Sequence, residues 1–341
     1  MKKRSFASSV FFLLIFGFVV LAAPAETEKK VLKKAGKLMV KALEAINLKQ
    51  PDQAIDLLKQ VLALTPNNAV VHHNLGVLYF DKEMADEAIG EFEAALRLQS
   101  DYQNALLALR QTLFETGKKT SSKQEYEKAN AYLLKLAGLP RPDAENKNLL
   151  ASAQYVLGYN YFNLKQYPQA GEFFGKCQAS EGLENENVEL YANATYFLGM
   201  VTHIQGQYGL SRDNFQKYLD LYAGRENKPE FFTQANYFIA ANLFRQLEEK
   251  MAKGDVAAMT ESARAILPYL TTAVDMNISS EDAYVMLGNC YVYVKEYDKA
   301  VAVYQRLCEL FPQSMQLKNY QVFLLELQKM QKQSEKTKKK H

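Results

Sequence analysis

The sequence predicts an all-α fold, a right-handed α-solenoid of about seven helix-turn-helix repeats closed by a C-terminal capping helix. Three observations carry this. Residues that break helices are scarce, with 16 Gly and 9 Pro among 341 residues, which argues against a turn-rich β fold. Apolar residues make up 48% and charged residues 23%, the balance of a chain that folds rather than one that stays disordered. Third, one spacing of small and large apolar residues recurs along the body, and a fixed period is the mark of a repeat architecture.

The elements follow in order. Met1-Lys2-Lys3-Arg4 is a basic start, Val10 to Leu21 a nearly unbroken apolar run, and Ala23-Pro24-Ala25 a small-x-small cleavage pattern. That is the layout of a secretory signal, so residues 1–25 are expected to be removed and the mature chain to begin at Glu26 in the periplasm. The alternative is an uncleaved inner-membrane anchor through residues 6–23, although the apolar run is shorter than the ~20 residues that span a bilayer.

Residues 26–34 read as a basic lead. Glu26 to Lys41 carries six Lys against two Glu, and Lys329 to His341 six Lys against one Glu. Removing Lys2, Lys3 and Arg4 takes the formal charge of +3 to zero, so the body between these ends carries about −9. Such lysine runs are usually solvated; the other reading is contact with an anionic membrane surface. An acidic body without a basic stripe excludes nucleic acid as the main partner.

The repeats occupy residues 35–313. After Gly76 in Asn74-Leu75-Gly76-Val77-Leu78-Tyr79, Ala88 follows at twelve residues, Phe92 four later and Ala95 three later. The same ruler fits Gly158, Ala170, Phe174 and Cys177; Gly199, Ser211, Phe215 and Tyr218; and Gly288, Ala300, Tyr304 and Leu307. Upstream, Ala42, Ala54, Leu58 and Val61 take these places. Two repeats are degenerate. One has Leu109 to Leu113, a polar insert near Lys118 to Gln124, then Ala129, Leu133 and Leu136. The other has Ala240-Ala241 and Phe244, a long connector near Glu248 to Thr260, then Ile266, Leu270 and Ala273. Asp86, Pro168 and Asp298 stand where second helices should start, and Pro66 and Pro312 where helices should stop. Residues 314–332 read as the capping helix and residues 333–341 as a basic, disordered tail.

These residues resemble the tetratricopeptide repeat, whose pattern is W-x2-L-G-x2-Y, then A-x3-F, then P. Trp is absent, and His72, Gln154, Thr195 and Tyr284 hold its places. The resemblance implies paired antiparallel helices and a concave face lined by the first helix of each pair. It also implies a protein or peptide partner held there. On that face the sequence places His73, Val77 and Phe80; Phe114; Tyr155, Tyr159 and Phe162; Tyr196 and Met200; Phe238 and Asn242; and Asn289. This row is aromatic and apolar with Asn interspersed, as interfaces are. The other reading is that winding buries these rings between repeats. A Lys/Asn/Arg clamp for an acidic C-terminus is not expected, because Met39, Leu43, Asn74 and Asn104 stand at the matching places.

No enzyme is expected. The sequence holds no HExxH, GxSxG, phosphate-binding loop or CxxC, and with 4 His it offers little for a triad. No cofactor or metal is expected either. His72 and His73 project about 100° apart on a helix and do not share an ion, and the acidic run Glu181, Glu184, Glu186, Glu189 reads as solvated. Cys177, Cys290 and Cys308 read as buried thiols; were two to pair, Cys290 and Cys308 on adjacent helices are the candidates. The expected function is a non-enzymatic adaptor of the cell envelope. The alternatives are a small-molecule or lipid carrier enclosed by the aromatic lining and a membrane-anchored recruiter.

Overall fold

A computed structural model describes residues 26–140, 147–252 and 254–338; residues 1–25, read above as a signal segment, and residues 339–341, read as part of a tail, lie outside the described residues. The chain divides near residue 141 into two compact units. The first holds α1 (Glu26–Asn47), α2 (Pro51–Leu64), α3 (Ala69–Asp81), α4 (Ala85–Leu98), α5 (Gln103–Ser122) and α6 (Tyr126–Ala137). The second holds α7 (Lys147–Asn163), α8 (Tyr167–Gln178), the single turn α9 (Leu183–Glu186), α10 (Val188–Ile204), α11 (Tyr208–Asp220), α12 (Phe232–Ala252), α13 (Val256–Asp275), α14 (Glu281–Tyr293), α15 (Tyr297–Leu310) and α16 (Leu317–Lys338). Among the described residues every element is a helix. They pack as seven successive hairpins, three in the first unit and four in the second, where α16 closes on α15.

The spacing has a steric cause. A Cβ on Gly76 would lie 2.6 Å from the ring of Phe92, on Gly158 2.7 Å from Phe174, on Gly199 2.9 Å from Phe215 and on Gly288 2.4 Å from Tyr304. The glycine of each first helix therefore admits the large residue of its second helix, and Phe92, Phe174, Phe215 and Tyr304 are all buried. Burying one such side chain contributes about 1.5–3 kcal/mol. Each hairpin then turns on one residue in the left-handed region, seven places after the glycine position: Lys49, Glu83, Gln124, Lys165, Gly206, Gly254 and Lys295. The next amide closes the turn by donating to a carbonyl five residues back, as Met84 does to Tyr79 and Glu296 to Tyr291, both at 2.9 Å.

These turns correct the register of the two degenerate repeats. In the third hairpin the glycine position is Gly117, whose Cβ would meet Leu133 at 2.6 Å, rather than the neighbourhood of Arg110. The supposed polar insert at 118–124 is mostly the last turns of α5. In the sixth hairpin Leu247 takes the glycine position and Ala263 the place of the large residue, and both are fully buried in one cluster. Large and small are exchanged while the volume is kept. The supposed connector at 248–260 is again mostly helix, because α12 and α13 lengthen at the ends away from their turn.

Two boundaries also change. The basic lead 26–34 is the first part of α1, and residues 333–338 continue α16 rather than belonging to a disordered tail. α16 is held by Leu327, fully buried, by Phe323 at 5.0 Å from the ring of Tyr304, and by Tyr320, whose hydroxyl donates to Glu281 at 2.5 Å. Cys177, Cys290 and Cys308 are free thiols. Burial pushes Cys177 and Cys290 up to about 12, so neither is a thiolate nucleophile at neutral pH. Among the described residues no helix is long and apolar enough to cross a membrane.

Candidate partner-binding surface

The first helices carry three levels of residues on one face, three before, one after and four after the glycine position. The innermost level is core. His73, Phe114 and Tyr196 are buried, and Tyr155, Phe244 and Val285 half-buried; Phe238, assigned above to the partner-binding face, lies nine residues before Leu247 and on a different face of α12. Three aromatics of this level, His73, Tyr155 and Tyr196, lie against the large residue of their own hairpin. His73 lies 5.8 Å from Phe92, Tyr155 5.8 Å from Phe174, Tyr196 5.5 Å from Phe215, and Phe238 stacks on Phe215 at 5.3 Å. His73, Phe114 and Tyr196, assigned above to partner binding, are therefore packing residues. Burial raises the Tyr196 phenol to about 12 and pushes Tyr155 up as well.

Burial lowers the pKa of His73 below its ordinary value of 6.5. The ring lies between Phe92 and Tyr102, and its one polar neighbour there, Asn74 Oδ1, is at 3.4 Å. Because the folded value is depressed, the unfolded chain binds a proton that the fold refuses once pH falls below about 6.5. The stability of the first unit is thus expected to decline on acidification through that range. In His73→Leu the slope of unfolding free energy against pH between 5 and 7 should be shallower than in wild type; identical slopes would refute it.

The second and third levels reach solvent. In the first unit Val77 and Phe80 are half-buried and, with Phe92, Ala108, Gln111 and Thr112, line a small open crevice between α3, α4 and α5. In the second unit Tyr159 is 38% exposed and Phe162 half-buried on α7, while Met200 on α10 is half-buried against the neighbouring core cluster. These rings converge on a residue that the sequence pattern did not single out, Phe197 of α10. It meets Tyr159 edge-on at 5.8 Å, Phe162 at 5.6 Å and Tyr155 at 6.1 Å, and stacks on Phe174 at 5.3 Å. Phe231 adds a ring at 5.8 Å from Phe197 and stacks on Tyr196 at 4.5 Å. The one available signal was the doublet Tyr196-Phe197, a pair of aromatics that no other hairpin carries there. The result is a firm aromatic shelf whose outer members, Tyr159 and Phe162, sit on an ordered base.

Asn242 and Asn289 do not present free amides. Asn242 is buried; it accepts from His203 Nδ1 at 2.6 Å and donates to Ser211 Oγ at 2.9 Å, which donates to the Gly199 carbonyl at 2.9 Å. Asn289 accepts from the Tyr304 hydroxyl at 2.8 Å. Asn242 thus ties the sixth hairpin to the fifth, and the Asn289 carbonyl ties α14 to α15. Of the sequence-assigned residues, Tyr159 is exposed, Val77, Phe80, Tyr155, Phe162, Met200, Phe238 and Asn289 are half-buried, and Tyr159 and Phe162 share one patch over Phe197. The arrangement offers apolar contact area with a tyrosine hydroxyl at its edge and no cluster of titratable groups.

Residues 45–93 match one tetratricopeptide-repeat family model and residues 281–314 another. No curated protein matches the chain in sequence. Among solved structures it is similar to YrrB, described as a tetratricopeptide protein with an unusual peptide-binding site, at 17% identity over 77% of this chain and 97% of that one, with a TM-score of 0.37. It is also similar to MamA (residue 41 to the end) from Desulfovibrio magneticus, at 16% identity over 60% and 100%, TM-score 0.31. A tetratricopeptide repeat protein from Parabacteroides merdae matches at 17% over 86% and 98%, TM-score 0.31. With the Gly-to-aromatic contacts recurring on one spacing and seven hairpin turns on one ruler, the chain is built from repeats of the tetratricopeptide kind, which the family models match at residues 45–93 and 281–314.

Proposed function

We propose that this chain is a non-enzymatic interaction scaffold of the cell envelope that holds a peptide or helical segment of a protein partner against the first helices of its repeats. The observation that supports it most is the aromatic shelf of the second unit. Tyr159 and Phe162 keep accessible surface while the rings beneath them are already packed, so this exposure is surplus to packing within the hairpins. Tyrosine and phenylalanine on a rigid base suit the role of interface anchors, because little side-chain entropy is lost when they are covered. Export rests on the basic start, apolar run and small-x-small site at residues 1–25, and the lysine-rich ends would keep the protein at a membrane surface. The carrier alternative calls for an enclosed dry pocket, whereas here the rings fill the space by stacking on one another.

The test is a photo-crosslinking residue at Phe162 in cells, followed by mass spectrometry of the adducts and sequencing of the mature N-terminus. One dominant protein adduct and a chain starting at Glu26 are expected. Adducts confined to lipid or a small molecule would overturn the scaffold reading, and a chain retaining Met1 would replace export with anchoring.

A further inference from the structure

The lysine-rich start of the mature chain takes on a definite shape once it is seen to be helical. On α1, Lys30, Lys33, Lys34, Lys37 and Lys41 recur at three and four residues, within an arc of roughly 100° and along about 16 Å of axis. All five are exposed. The opposite side of α1 is fixed by Ala35, Ala42 and Ala45, which are buried, so the lysine face cannot rotate inward. Two acidic residues share the arc: Glu26, at 3.9 Å from Lys30, and Glu44. Lys33, Lys34, Lys37 and Lys41 make no ion pair among the described residues, although the body of the chain is acidic and ion pairs form elsewhere on the first unit, such as Lys119 with Glu83 at 2.9 Å. The positive face has been kept clear of local neutralisation.

We infer that this face of α1 docks on an anionic lipid bilayer. Lysines are mobile point charges suited to a diffuse anionic surface, and they lack the bidentate fork that reads phosphates one by one. Two apolar side chains stand exposed nearby, Val40 at the margin of the lysine arc at 56% and Leu48 just past the end of α1 at 68%, which helps a helix lie in a headgroup layer and does nothing for a nucleic-acid backbone. The apolar run Val10 to Leu21 lies a few residues upstream in sequence, so the lysines are synthesised next to a segment addressed to a membrane. The negative body is repelled by the same surface, which limits contact to the basic face. This deepens the envelope reading and rests on it, but uses a different surface from the aromatic shelf.

The full chain in mild detergent is diluted into vesicles of phosphatidylcholine, with or without phosphatidylglycerol, and floated. The apolar run contributes to both, so the ratio of the two partition coefficients reports the lysines. Lys33→Gln, Lys34→Gln, Lys37→Gln and Lys41→Gln together keep helix propensity and should lower that ratio by about 600-fold, at about fivefold per charge near the surface. High salt should do the same to the wild type. Neutralising Lys336, Lys338, Lys339 and Lys340 instead should leave most of the ratio intact. Equal partition of the wild type into both vesicles, or a loss produced by the tail variant and not the α1 variant, overturns the inference. So does preferential retention on duplex DNA over anionic vesicles. Tyr159→Ala should leave vesicle preference unchanged, which separates failure here from failure of the partner-binding reading.

Discussion

Tyr196→Ala is expected to lower the unfolding free energy of the second unit by about 3–5 kcal/mol, the cost of emptying an aromatic from a core. Tyr159→Ala is expected to lower it by only about 1 kcal/mol. The two tyrosines stand on first-helix faces four residues apart in level, yet their surroundings differ. Tyr196 is 5% exposed and touches Phe197, Phe215, Tyr218 and Phe231 with ring separations of 4.5 to 5.5 Å. Tyr159 is 38% exposed and its ring contact is a single edge-on one with Phe197 at 5.8 Å. Partner capture should show the reverse order once folding is accounted for. An exposed anchor at the centre of an interface is worth 2 kcal/mol or more, about a thirtyfold loss of affinity, so Tyr159→Ala should fail to capture its partner while melting close to wild type. Urea unfolding and crosslinking yield on the same preparations check both halves. If Tyr159→Ala captures normally, the shelf is not the binding surface; if it unfolds as readily as Tyr196→Ala, Tyr159 is core and the shelf does not exist as described.

The contrast between those tyrosines marks what the sequence could and could not convey. The hairpins were legible because their cause is local: a glycine and a large residue sixteen places apart meet within one repeat, and a single chain displays that distance directly. In the third hairpin the face was legible even where the level was not, whereas in the sixth a slip of six residues from Leu247 turned the assignment by about 120° and put Phe238 and Asn242 on the wrong face. Reading Arg110 for Gly117 is a slip of seven residues, two helical turns that return to within about 20° of the same direction, so Phe114 was put on the right face but at the wrong level. Burial along that face depends instead on how closely one hairpin approaches the next. Tyr196 and Phe238 are covered by neighbours many residues away, and Phe197 collects rings from α7 and α8. Nothing in a local ruler reports such approaches. The turns were hidden for a different reason. Lys49, Glu83, Lys165 and Lys295 adopt a left-handed backbone that their residue types do not announce, held there by the closing amide rather than by preference.

The glycine-to-aromatic contact itself makes the sharpest demand on the architecture, because a single methyl group should act with opposite sign at two places seventeen residues apart. Glycine inside a helix ordinarily costs about 1 kcal/mol relative to alanine. At Gly175, in α8, a Cβ would find nothing within 4 Å, so Gly175→Ala is expected to stabilise the second unit by about 0.5–1 kcal/mol. At Gly158 the same Cβ would lie 2.7 Å from Phe174 Cδ1. That ring is fully buried and stacked on Phe197 at 5.3 Å, so it cannot swing away without disturbing the shelf. Overpacking of this kind costs about 1–3 kcal/mol. Gly158→Ala should therefore be destabilising on balance, despite the gain in helix propensity. The cause can be isolated, because in a Phe174→Leu background the added methyl meets a smaller, more pliable neighbour. There Gly158→Ala should lose most of its penalty, a coupling of at least about 1 kcal/mol in a double-mutant cycle. Chemical denaturation of the four proteins measures it. An additive cycle, or a stabilising Gly158→Ala, would mean that glycine is not what lets the paired helices close, and the steric account of the repeat spacing would fall with it.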